Sequence, residues 1–297
     1  MILITGGTGF IGRHLVPYLS DLGYQVRLLI KPSKDSPLLP SGMTVDAAVC
    51  SLNDERGLMA AMKGVDTIIH LAGSERMGAR ADLTGGDIQG TKTLITVAIA
   101  AKVKRILYMS RIGADVYSAF PVLKAKAFSE NTIIQSGIPY TIFRSGPIFG
   151  KGDQFIHSFY NAMQSLPGIM LLPNNGEMNL HPLWIEDLMA VVGLSLSVPE
   201  TENKMFCLGG PEFLPLEEIL SLIMQHNGKR RLLIKIPPTT MRMLALYAET
   251  YMKKPPISIY WLDTLATDRT CPLDTLPKKF GIIPARLSEK IASILEN

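Results

Sequence analysis

The sequence predicts an α/β protein, a doubly wound parallel sheet with helices on both faces and a smaller C-terminal lobe. Three observations lead there. Short apolar runs alternate with helix-length segments through the first half of the chain, and strands joined by helices of this length form parallel crossover units. The first residues run from an apolar strand, Ile2 to Thr5, through Gly6, Gly9 and Gly12 directly into a helix. The chain has 297 residues, long for one such unit and suited to one unit plus a second lobe.

In chain order, Gly23 caps the first helix, and Tyr24 to Ile30 forms the second strand. A polar loop from Lys31 to Gly42 leads to a strand near Val45 to Val49, a helix through Leu58 and Met62, and a strand at Thr67 to Leu71. Gly90 to Ala101 reads as a helix, Arg105 to Met109 as a buried strand, and Lys124 to Gln135 as a helix stopped by Ser136-Gly137. Tyr140 to Phe143 is a further strand. The rhythm changes after Gly150, so residues 1–150 are taken as the nucleotide-binding domain and 151–297 as the smaller substrate or partner lobe. Helices at Phe155 to Gln164 and Asp187 to Ser197 and a short strand at Met205 to Leu208 belong to that lobe, with the return of a later segment to add a strand to the first sheet left open.

The opening glycines suit a dinucleotide phosphate cradle. The tight strand-to-helix turn needs φ > 0 at one glycine, the pyrophosphate must approach bare backbone at a second, and the helix must lie close on the strand at a third. The phosphate charge then meets unpaired N–H groups and the dipole at the helix N-terminus. Gly6, Thr8, Gly9, Phe10, Ile11 and Gly12 form this turn. Past the second strand stand Lys31 and Lys34, with Arg13 at the start of the first helix and no carboxylate before Asp35. Cations there suit the 2′-phosphate of NADP(H), whereas NAD(H)-selective folds place a carboxylate at that strand end. NADP(H) is therefore favoured, and NAD(H) stays open.

Bulk properties narrow the class. Charged residues make up 19% and the net charge is +4, which gives no reason to expect nucleic acid. The three cysteines, Cys50, Cys207 and Cys271, are far apart in sequence and suit reduced thiols rather than a disulfide framework or metal site. No metal is expected. The first strand begins at residue 2, leaving no room for a targeting peptide, and no apolar run approaches the roughly 20 residues of a membrane span. The expected location is cytoplasmic, with peripheral attachment to a membrane as the alternative.

Several further segments resemble the short-chain dehydrogenase/reductase superfamily, whose core is the Rossmann fold, and in particular its extended and atypical branches. These are Val65 to Gly73, Gly90-Thr91 with its helix, Tyr108-Met109-Ser110, Arg144 to Gly150, and His181 to Leu188. The resemblance implies that Leu71, Ala72 and Gly73 wall the cofactor, that Ser51 and Leu52 flank adenine where an Asp often stands, and that Pro147 and Ile148 complete the site. It also implies a Tyr acting as proton donor, with a Lys four residues later that lowers its pKa and holds the nicotinamide ribose. One helical turn puts such a pair on one face. Lys126 stands at the matching place, but Val122 occupies the Tyr position, and none of the nine tyrosines has Lys four places on. Asp87 stands where the family has Asn, while Ser110 matches its Ser. The candidate catalytic residues are thus Ser110, Lys126 and Tyr117, the last as a substitute donor from the upstream loop. A surface pairing of Lys126 with Glu130 at i,i+4 is the alternative for that lysine.

The tail is basic and amphipathic. Lys229, Arg230, Arg231, Lys235, Arg242, Lys253 and Lys254 face the single acid Glu249, while Met241, Leu244, Ala248, Tyr251 and Met252 recur at helical spacing. Two readings stay open: a helix packed on the core of the second lobe, or a surface helix in contact with anionic lipid or a protein complex through residues 229–254. With Pro255-Pro256-Ile257 and Lys279 to Ile282, the missing Tyr most resembles the branch containing the nucleotide-binding accessory subunit of respiratory complex I. That branch implies a held NADPH without established turnover and, in some members, links to quinone-related membrane complexes. Two functions follow: a nucleotide-holding protein with a structural, sensing or assembly role, or an NADP-dependent oxidoreductase or sugar-type epimerase/dehydratase acting on an unidentified small molecule with a non-standard acid.

Overall fold

The computed structural model describes residues 1–33, 45–165, 168–173, 176–228, 230–252, 255 and 258–295. Lys34, Asp35, Lys229, Lys253, Lys254, Pro256 and Ile257 lie outside the described residues. The elements in chain order are β1 (Ile2–Thr5), α1 (Phe10–Asp21), β2 (Val26–Ile30), β3 (Asp46–Val49), α2 (Glu55–Ala61), β4 (Thr67–His70), α3 (Gly90–Ala100), β5 (Arg105–Arg111), α4 (Pro121–Ile134) and β6 (Tyr140–Ser145). There follow β7 (Ile148–Phe149), α5 (Phe155–Ser165), β8 (Ile169–Pro173), β9 (Asn179–Leu180), β10 (Leu183–Trp184), α6 (Ile185–Ser197) and β11 (Lys204–Leu208). The chain ends with β12 (Leu214–Pro215), α7 (Leu216–Asn227), β13 (Leu232–Ile236), α8 (Pro238–Tyr251), α9 (Ile259–Thr264), α10 (Thr275–Phe280) and α11 (Leu287–Leu295).

Two compact units result. The first holds Met1–Ser74, Asp82–Arg144 and Leu188–Phe206, and the second Glu75–Ala81, Ser145–Asp187 and Cys207–Asn297. In the first, a seven-stranded parallel sheet has the order β3-β2-β1-β4-β5-β6-β11. β1 pairs in parallel with β2 on one side and β4 on the other, with Thr5 opposite both Leu29 and His70. Strands covered on both faces must be apolar nearly throughout, and Ile2, Leu3 and Ile4 are all buried. Leu58 of α2, Leu94 of α3 and Ile133 of α4 pack with Leu3, Ile68 and Ile106 in one core cluster.

The return of residues 188–206 to this unit has a polar cause. Arg105, 8% exposed, donates from Nη2 to Thr141 Oγ1 and Thr201 Oγ1, both at 2.8 Å, and to the Ser195 carbonyl at 3.3 Å. Its Nη1 pairs with Glu202 at 2.5 Å. A buried guanidinium needs such partners, and meeting that need ties β5 and β6 to the end of α6 and the approach to β11.

The second unit contains a parallel pair, β8 with β13, which the sequence reading missed. Its register, Leu232 opposite Ile169, joins segments distant in the chain, and no local signal encodes such pairing. Helix α4 begins at Pro121, three residues before the expected Lys124, because proline is pre-organised for the first helical position. Helix α8 corrects the packed-stripe expectation: it buries Met241, Ala245 and Glu249, while Leu244, Tyr251 and Met252 are exposed. The inward turn of Glu249 has a reason, since its carboxylate accepts the Ala79 N–H at 2.8 Å and the Ile259 N–H at 2.9 Å.

Candidate dinucleotide site

The strand order reverses direction of growth at β1 and β4, and the crevice outside the carboxyl ends of such strands is where open α/β sheets bind ligands. Gly6 leaves β1 with φ of +72°, and a Cβ there would lie 2.7 Å from the Ala72 nitrogen. The loop after β1 therefore rests backbone to backbone on the loop after β4. Gly12 is equally constrained, because its Cβ would come within 2.4 Å of the Gly7 Cα. Gly7, not singled out from the sequence, has its own limit: its Cβ would meet Leu28 Cδ2 at 2.5 Å. Gly9 is the N-cap of α1 in extended conformation, with no side-chain cap and no acidic residue in the first turn. The helix start is thus bare backbone of positive potential, flanked by Thr8, Phe10 and Ile11, none of which is fully buried.

Around the rim, Arg13 is half-buried in the first turn of α1, and Lys31 is exposed two residues past Leu29, the partner of Thr5. Ser51 and Leu52 are half-buried after β3, with the Ser51 hydroxyl accepting the Asn53 N–H at 3.3 Å. Leu71 and Ala72 are half-buried and Gly73 is exposed. Pro147 and Ile148 lie in the second unit, where the Pro147 carbonyl accepts the Leu183 N–H at 2.9 Å and Ile148 pairs with Leu183 in the β7–β10 ladder.

The chemistry-bearing residues of the first unit gather beside Gly73. Lys126 on α4 is 8% exposed, donates from Nζ to the Met109 carbonyl at 3.1 Å, and lies 5.2 Å from the centre of the Tyr108 ring. The same Nζ is 3.6 Å from where a Cβ on Gly73 would stand, and Asp87 Oδ2 is 3.8 Å from that point. Glu130, the alternative partner of Lys126, is gripped in two bonds by Arg144 at 2.9 and 2.5 Å. Ser110 follows Met109, and its buried Oγ has no hydrogen-bond partner. One turn before Lys126, Val122 is 7% exposed and offers no proton. Tyr117 stands in the loop before α4, 92% exposed, and the structure does not bring it to this cluster.

A polar chain behind the site escaped sequence reading. The Ala72 N–H donates to Thr5 Oγ1 at 3.3 Å, Thr5 Oγ1 meets His70 Nδ1 at 2.6 Å, His70 Nε2 meets Thr91 Oγ1 at 3.0 Å, and Thr91 Oγ1 donates to the Asp87 carbonyl at 2.7 Å. A neutral His70 protonated on Nε2 satisfies every link, with Thr5 donating to Nδ1. Burial, aided by the charge of Lys126, pushes the imidazole down to about 3, so it is neutral at pH 7. The Asp87 carboxylate in turn accepts the Ser74 N–H at 2.9 Å. His181, in the second unit, is wholly buried with Nε2 on the Gly210 carbonyl at 2.7 Å.

A glycine cradle that any Cβ would fill, a bare helix start and an unpartnered buried hydroxyl fit an anionic dinucleotide. Residues 6–154 match the family model described as NAD(P)H-binding. The chain belongs to this NAD(P)H-binding family. Photosystem II assembly factor Ycf39 of Trieres chinensis is 28% identical over 82% of the chain and 74% of that protein. NADH dehydrogenase [ubiquinone] 1 alpha subcomplex subunit 9, mitochondrial, of Arabidopsis thaliana is 24% identical over 95% of the chain and 75% of that protein. The NADPH-dependent quinone oxidoreductase QOR2 of Escherichia coli, solved with NADPH, superposes with a TM-score of 0.77 at 20% identity, covering 100% of each chain, which is a likeness of fold. The protein is thus NAD(P)(H)-binding and of the Rossmann type. Among the described residues no helix is long and apolar enough to cross a membrane.

Proposed function

We propose that this protein holds NADP(H) as a resident nucleotide serving structure, sensing or assembly, without Tyr–Lys chemistry. The observation that carries the reading is Val122, buried at the place of the expected proton donor one turn before Lys126. A nicotinamide nucleotide supplies a hydride when bound, but a positioned acid typically adds ~10²- to 10⁴-fold to such a reaction, and Val122 supplies none. Gly6, Gly9 and Gly12 would hold the pyrophosphate, Arg13 and Lys31 the 2′-phosphate, Leu71 to Gly73 the wall and Lys126 the ribose. The NADPH in the QOR2 structure supports the NADP form. The names of the two relatives, an assembly factor and a complex subunit, support a contact with a larger complex, for which residues 229–254 are the candidate surface.

A second reading rests on Ser110. Its buried Oγ has no hydrogen-bond partner and it follows Met109, whose carbonyl accepts from Lys126; a hydroxyl with spare hydrogen-bonding capacity there favours an oxidoreductase or epimerase/dehydratase with a non-standard acid. One experiment separates the two. The protein is purified, its retained nucleotide identified by mass spectrometry, and the nucleotide's oxidation state followed across carbonyl, sugar-nucleotide and quinone substrates. Retained NADP(H) with no turnover is expected, and turnover that Lys126→Ala abolishes overturns the binding role. Tighter binding of NADPH than NADH, equalised or reversed in Lys31→Glu, is expected of the 2′-phosphate assignment, and equal preference in both proteins removes it.

A further inference from the structure

Helix α8 packs by a narrow strip. Met241, Ala245 and Glu249 face inward, whereas Met243 and Tyr251 are 72% exposed, Tyr247 65%, and Leu244, Leu246 and Met252 at least 47%. The Tyr247 and Tyr251 rings lie one turn apart with centroids at 4.6 Å, so the aromatic surface is continuous along the helix. A surface of this kind is uncommon in water unless something covers it.

Charge identifies what fits it. The only acid between residues 229 and 254 is Glu249, and that carboxylate is 7% exposed and occupied by the Ala79 and Ile259 N–H groups. The segment therefore presents no carboxylate outward. Arg230 and Lys235 are exposed before the helix, and Lys253 and Lys254 follow it in sequence. Arg242 is offset by its ion pair with Asp263, so the remaining cations precede and follow the helix in sequence. Fourteen residues make a helix of roughly 21 Å, fit to lie in an interface rather than to span it. Tyrosine suits that depth because its ring is apolar and its hydroxyl remains at the wet boundary.

We propose that α8 docks on an anionic membrane surface, its Met, Leu and Tyr side chains entering the headgroup boundary while the flanking Lys and Arg side chains meet lipid phosphates. Apolar burial and attraction to anionic headgroups add in such a contact. The proposal rests on the reading of residues 229–254 as a contact surface, assigns that surface to lipid rather than to a protein complex, and is independent of nucleotide occupancy.

The test uses the full chain with phosphatidylcholine vesicles and with vesicles containing phosphatidylglycerol, read by co-sedimentation, and follows NADPH binding by titration in parallel. Binding to the anionic vesicles alone is expected, weakening with added salt. The variant carrying Met243→Ser, Tyr247→Ser and Tyr251→Ser should bind on the order of tenfold less, and Lys235→Gln about fivefold less. These side chains are exposed, so both variants should keep the wild-type circular dichroism and NADPH affinity. Equal sedimentation with neutral and anionic vesicles, or a folded triple variant that binds like the wild type, overturns the proposal. So does a wild type that ignores vesicles and forms a dimer the triple variant breaks, which assigns the face to a second copy. Vesicle binding by a protein that fails to bind NADPH supports the docking while removing the nucleotide reading.

Discussion

At the scale of single residues, the side chains behind the candidate site are set by burial more than by catalysis. His70 stays neutral because its pKa is pushed to about 3 by desolvation, while an unfolded chain takes up a proton near the ordinary imidazole value. The unfolded state then binds more protons in the window from about pH 6.5 down to about 3, and stability falls as pH falls through it by about 1.4 kcal/mol per unit. Urea unfolding at pH 7.5 and 5.0 should show this loss in the wild type and a flatter dependence in His70→Gln. Arg144 and Glu130 form a different kind of pair, a two-bonded contact whose carboxylate is 3% exposed. Arg144→Ala leaves that carboxylate buried without its cation and should cost about 3 kcal/mol or more in denaturant unfolding.

At the scale of elements, the turn between β1 and α1 has no slack. In Gly12→Ala the new methyl group meets Gly7 backbone at 2.4 Å, which no rotamer change relieves, so α1 must move off the turn. A loss of about 1–3 kcal/mol and weaker NADPH binding are expected by thermal unfolding and titration. Helix α8 has the opposite character, with one inward carboxylate acting as its anchor. Glu249→Ala should destabilise the second unit by about 1–3 kcal/mol, because the Ala79 and Ile259 N–H groups lose their acceptor. Glu249→Gln, which keeps an acceptor oxygen, should lose less.

At the scale of the whole molecule, a nucleotide that binds only the folded chain adds stability by mass action, about 2.7 kcal/mol at a hundredfold excess over Kd. NADPH should raise the thermal midpoint more than NADH does, and the gain should shrink in Lys31→Glu. The parts of the fold that carry this effect were legible early. Strand, glycines and helix arrive in order at the chain start, and each is a local property of backbone and hydrophobic pattern. The gathering of Gly73, Asp87, Lys126 and Met109 was partly legible through the family resemblance, while the chain from Ala72 through Thr5, His70 and Thr91 to Asp87 was not, since its members touch only after β1, β4 and α3 have packed.

The sequence by itself determined the doubly wound core, the glycine turn after β1 and the absence of a Tyr ahead of Lys126, because these depend on neighbours in the chain. Tertiary structure alone decided which face of α8 is buried, since Glu249 turns inward only where Ala79 and Ile259 offer it N–H groups. It also decided that residues 188–206 rejoin the first unit, where the buried charge of Arg105 finds Thr141, Thr201 and Glu202. In both cases the deciding interaction satisfies a buried polar group with partners far away in sequence, and periodicity carries no record of such partners.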